Sequence, residues 1–193
     1  MYCNKNESSI PRKTFTSTMG EFTDLNKYTI NKKSIDDSTM QIDGRNTDYI
    51  ISGFIEKNTN KKINWWKVID RKDSTNKLII QYLIVEDKSF PNQILYYKKG
   101  KLDSLNSKFY FKKNINNEIK YSFYLPNRKD NIISSKFYYQ INDNKYDVTC
   151  KKQFDHYECI IKNKSGENLI GLFTEAIDDK NEDIGISEIY IED

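Results

Sequence analysis

His156 is the only histidine in this chain of 193 residues, so any Ser–His or Cys–His relay has a single candidate base. It lies between Cys150 and Cys159, in a segment that predicts strand–turn–strand with the turn centred between Phe154 and Asp155. A histidine at a hairpin tip is expected to be exposed, which is the wrong setting for a desolvated base. One histidine and three scattered cysteines do not supply a zinc site. The run Asp178-Asp179-Lys180-Asn181-Glu182-Asp183 places oxygen ligands at alternate positions from Asp179, as a calcium loop would. An EF-hand then needs glycine sixth and glutamate twelfth, but Ile184 and Tyr190 stand there, and a solvated acidic loop is the simpler expectation. Neither GxGxxG nor GxxxxGK[ST] is present to cradle a phosphate. The chain is therefore expected to be no enzyme, with no catalytic residue, metal or cofactor.

The cysteines are more informative. With a two-residue turn, Cys150 and Cys159 fall opposite each other at a non-hydrogen-bonded pair, where Cα atoms lie closest and a disulfide can form. A four-residue loop would move them to a hydrogen-bonded pair, and two reduced, buried cysteines are the alternative. No CxxC redox motif occurs.

Cys3 sits in Met1-Tyr2-Cys3-Asn4-Lys5-Asn6-Glu7-Ser8-Ser9, a cysteine followed at once by a polar run. This start resembles that of mature bacterial lipoproteins, which implies a lipid anchor on Cys3 and a place in the cell envelope, either periplasm or outer surface. If Cys3 is unmodified, the cytoplasm is the expected location. Residues 1–20 then form a flexible tether, and 21–193 a single domain. Further along, Tyr96-Tyr97-Lys98-Lys99-Gly100-Lys101-Leu102 resembles a unit of the MORN-like repeat proteins, some of which are antitoxins. Ser52-Gly53-Phe54 and Ile170-Gly171-Leu172 echo it at irregular spacing.

The elements that must position these residues are strands. Ile, Lys and Asn account for 26, 27 and 21 residues, while alanine occurs once and Gly and Pro total ten. Few strong helix formers and many Ile, Tyr, Phe and Thr favour extended structure. Expected strands span 28–34, 48–56, 63–70, 78–86, 93–98, 107–113, 118–125, 134–141, 146–152, 157–162, 168–175 and 185–192. Most alternate apolar and polar residues, as strands with one wet face do. Leu78 to Val85 is apolar at nearly every position and predicts a central strand buried on both faces. Asp43-Gly44, Lys99-Gly100, Asp143-Asn144 and Ser165-Gly166 mark turns, and Glu21 to Tyr28 a short helical turn. The expected fold is all-β: an antiparallel sandwich or a strongly curved sheet of about a dozen strands.

Charge and aromatics suggest recognition. The net charge of +3 hides a C-terminal stretch, 175–193, with eight acidic residues and one lysine. The rest carries +10, yet with four arginines and lysines scattered along strands it does not resemble a nucleic-acid surface. No stretch approaches the ~18–20 apolar residues that cross a bilayer. Adjacent strand residues face opposite ways, so one of Trp65 and Trp66 enters the core and the other faces solvent or a partner. Tyr110, Tyr124 and Tyr138 are expected to align on one outer face, unless a second sheet covers them. Together with the acidic cluster of Asp178, Asp179, Glu182 and Asp183, they make the expected contact surface for a protein partner. An envelope-associated binding protein follows, an immunity-type protein that neutralises a toxin being one form. Carbohydrate binding by the same aromatics, or a cytosolic MORN-like antitoxin or structural module, are the alternatives.

Overall fold

The computed structural model describes residues 21–116, 118–126, 131–162, 168–179 and 183–192. The expected tether and the Ser165-Gly166 turn lie outside them. The described chain is all-β, with every strand pairing antiparallel. A 3-10 turn, Leu25–Lys27, capped by the Asp24 carboxylate on the Asn26 amide, leads into a seven-stranded meander. Its strands are β1 (Thr29–Ser34), β2 (Thr39–Arg45), β3 (Tyr49–Glu56), β4 (Lys62–Asp70), β5 (Lys77–Val85), β6 (Lys88–Lys98) and β7 (Lys101–Leu102). Each pairs with its sequence neighbour, which short polar turns dictate.

The remaining strands are β8 (Phe109–Ile115), β9 (Glu118–Tyr124), β10 (Asn131–Ile141), β11 (Asn144–Thr149), β12 (Lys151–Lys152), β13 (Tyr157–Lys162), β14 (Leu169–Asp179) and β15 (Asp183–Glu192). They form two four-stranded sheets, β11-β10-β14-β15 and β12-β13-β9-β8. Ring contacts bind the two: Phe123 stacks on Phe173 at 4.2 Å and meets Phe137 at 5.3 Å, and Tyr157 meets Phe173 at 5.3 Å. This half is a sandwich with its core between the sheets. The meander has a separate core, built on Ile42, Ile51, Trp66, Val68 and Ile80 and covered in part by Phe22, Leu25 and Tyr28.

The two halves meet at β6. Pro91 and Asn92 lie where its register against β5 shifts, so Gln81 faces Gln93 and Tyr82 faces Pro91. The bulge frees the Asn92 side chain, which is 1% exposed. Its amide donates to the Tyr190 carbonyl at 2.9 Å and accepts from the Tyr190 N–H at 2.7 Å, as a neighbouring strand would. Gln81 Oε1 in turn accepts from Asn92 and Gln93, both at 2.9 Å.

Several strand expectations need correction. β2 was expected as a turn at Asp43-Gly44; Gly44 instead sits within the strand, where a methyl would come within 2.7 Å of Ile30 and 2.8 Å of Ile51. β6 begins at Lys88, because the turn before it is Glu86-Asp87, with both φ angles positive. β5 is interior to its sheet, but only Leu78, Ile80 and Tyr82 are buried; Ile84, on the same face, is exposed near the strand's end, and Ile79, Leu83 and Val85 on the other face are half-buried. The β10–β11 turn is Asn142-Asp143, one residue earlier than expected.

Candidate functional site

Strand parity divides the tryptophans. Trp66 is 0% exposed, its indole N–H donating to the carbonyls of Phe54 at 3.0 Å and Ile63 at 3.2 Å. Gly53 leaves room for that ring: a methyl there would lie 2.1 Å from Trp66 Cδ2. Trp66 is thus a core residue, and its expected place on the contact surface is corrected. Trp65 points the other way and is 42% exposed.

Register places Trp65 on a broad face of the meander. One cross-strand row runs Arg45, Ile50, Ile69, Lys77, Tyr97; the next runs Asp43, Ser52, Lys67, Ile79, Leu95; the third carries Trp65, Gln81 and Gln93. Paired residues in antiparallel strands share a face, so these side chains form one surface. Ile50 is 45% exposed, and Ile69, Ile79, Leu95 and Tyr97 are half-buried. Lys77 Nζ lies 4.5 Å from the Tyr97 ring centroid. At the β1–β2 end, a shallow hollow of about 350 Å³ is lined by Thr29, Ile30, Asn31, Asp43, Gly44, Arg45 and Ile50. The strand alternation of β3 to β6 could have located this face, but only once β2 was recognised as a strand.

The three tyrosines do not align. Tyr110 pairs with Phe123 and so faces the sandwich core, packing near Tyr121 and Phe123. Tyr124 pairs with Phe109 on the opposite face, where it stacks on Phe109 at 4.4 Å and on His156 at 5.0 Å. Tyr138 belongs to the other sheet and is 44% exposed, with Lys136 Nζ 5.9 Å from its ring centroid. The cause is phase: β8 buries Phe109 on the side away from the core, which turns Tyr110 inward.

His156 is half-buried rather than exposed at a tip. Its Nδ1 lies 2.8 Å from Asp155 Oδ1 and its Nε2 3.4 Å from Glu158 Oε1. Lys120 pairs with Glu158 and, with His156, holds that carboxyl below the usual carboxylate range. Each polar group in the cluster has a partner within it, and the Tyr124 ring stacks on the imidazole. Among the described residues, no group of three or more His, Cys, Asp or Glu is placed to hold a metal.

Cys150 and Cys159 have the register expected of them, with Lys152 opposite Tyr157, Lys151 opposite Glu158, and Gln153 N–H bonded to the His156 carbonyl at 2.8 Å. Their Cα atoms are 4.7 Å apart and their sulfurs at disulfide distance. Cys150 sits where the chain passes from β11 in one sheet to β12 in the other.

A buried pair escaped sequence reasoning. The Tyr157 hydroxyl donates to the Glu175 carboxylate across the sandwich, and both residues are buried. Burial, then the carboxylate, pushes the Tyr157 hydroxyl well above its ordinary pKa. Glu175 lies within β14, on the inward face between Phe173 and Ile177, and an inward glutamate gives no sign in sequence of the partner that satisfies it. Asp178 is exposed, while Glu182, the side chains of Asp179 and Asp183, and Cys3 lie outside the described residues. No helix among the described residues is long and apolar enough to cross a membrane. The chain matches no protein-family model, and no curated protein matches it.

Proposed function

We propose that this chain is a non-catalytic recognition module that binds a protein partner through the meander face around Trp65. The carrying observation is the exposure of Trp65 on a face that also presents Ile50, Ile69 and Ile79. A large, rigid aromatic beside aliphatic side chains is the composition of an interface anchor, since it buries much area for little lost entropy. A lipid on Cys3 would hold the module at the cell envelope, and an immunity-type role is one form of the same binding. Carbohydrate recognition is the weaker reading: both faces of the Tyr124 ring are occupied, and Tyr110 faces the core.

Trp65→Ala tests the proposal when wild-type and variant chains are compared as baits, together with a glycan array. A specific protein captured by wild type and lost by the variant supports it. Array binding that depends on Trp65, with no protein captured, would replace it with the carbohydrate reading.

A further inference from the structure

The charges on the meander face indicate what kind of partner it fits, an inference that rests on the reading just given. Arg45 and Lys77 occupy the same cross-strand row, separated by Ile50 on β3 and Ile69 on β4. Lys67 lies in the next row, between Ser52 and Ile79. No carboxylate among the described residues lies within ion-pair distance of Arg45, Lys67 or Lys77. The anion in these rows, Asp43, has its carboxylate hydrogen-bonded by Gln41 at 2.9 Å. The face therefore presents, among the described residues, cations without an ion-pair partner around an apolar strip.

We propose that its partner presents an acidic, extended segment laid across the strands, with two carboxylates separated by an apolar residue. Strand spacing sets the arrangement. From β2 to β5 is three strand spacings, about 14 Å, and four residues of extended chain cover about 13 Å. Residues i, i+2 and i+4 of such a segment face the same way. A Glu-x-Ile-x-Glu pattern thus sets one carboxylate at Arg45, which can take it in bidentate fashion, and the other at Lys77, poised beside the Tyr97 ring. The isoleucine between them covers Ile50 and Ile69. Closer or wider acidic spacings leave one carboxylate without a cation.

The test is a displayed library of extended peptides with two glutamates two, four or six positions apart and an apolar or lysine residue between, panned on the full chain. Enrichment of the four-position spacing is expected. Binding should fall at least tenfold in R45Q/K77Q, fall similarly in Trp65→Ala if the displayed segment reaches the third row, and weaken as salt rises. Enrichment of lysine-rich or neutral peptides, no spacing preference, no binder at all, or binders indifferent to R45Q/K77Q would overturn the acidic-segment proposal. Neutral peptides still lost in Trp65→Ala would spare the recognition face itself. Acidic binders indifferent to both variants would sink face and segment together.

Discussion

Replacing Trp66 with alanine removes a fully buried ring and two hydrogen bonds, and should cost about 3–5 kcal/mol in urea unfolding. Trp65→Ala should cost less than about 0.5 kcal/mol, because that ring fills no core. The contrast separates packing from recognition in two neighbours with the same side chain. Tyr157 supplies a pH signature. Its folded pKa lies above the unfolded value of about 10, so above pH ~10 the native state retains a proton that the unfolded chain loses. The contribution is complete below pH ~10 and is lost as pH rises beyond it. Tyr28, pushed up to about 12 by burial first and by Tyr49, acts in the same direction. Denaturant unfolding from pH 8 to 11 should show declining stability, with a shallower decline in Tyr157→Phe; an identical slope would contradict the assignment.

At the scale of elements, Asn92 stands in for a strand at the β15 edge. Asn92→Ala leaves the Tyr190 N–H and carbonyl without that amide and should cost about 1–3 kcal/mol. Hydrogen exchange reads the same contact, and the Tyr190 amide should lose protection before its neighbours in β15 do. The Cys150–Cys159 pair joins a sheet-crossing corner to β13. If it is oxidised, the double serine variant should lose about 2–3 kcal/mol for so short a loop. A thiol count under denaturing, non-reducing conditions should then find one free thiol, or none where Cys3 carries a lipid, rather than three. The cysteine register was legible in sequence because the two-residue turn fixes every pair in its hairpin. β2 was not, because Asp-Gly signals a turn locally and only the tertiary approach of Ile30 and Ile51 explains a glycine inside a strand. The tyrosine alignment failed for a related reason. Alternation says that neighbours face opposite ways, but the packing partner decides which face is inward.

Across the whole molecule, composition was enough to forecast an antiparallel all-β chain, because β-branched and aromatic residues with short polar turns leave few other ways to bury apolar surface. It could not forecast two cores, since nothing local says which strands share a sheet. That division matters for function: the sandwich buries Phe123, Phe137, Tyr157 and Phe173 between its sheets while Phe111, Tyr138 and Tyr146 stay exposed, and the meander sets Trp65 beside Ile50 in solvent on one face. The most direct measurement is a photo-crosslinking amino acid placed at position 65, and separately at the exposed sandwich position Ile170, in cells expressing the full chain. The account predicts one discrete protein adduct at position 65 and none at 170. No adduct at 65, or the same adducts at both positions, would contradict it.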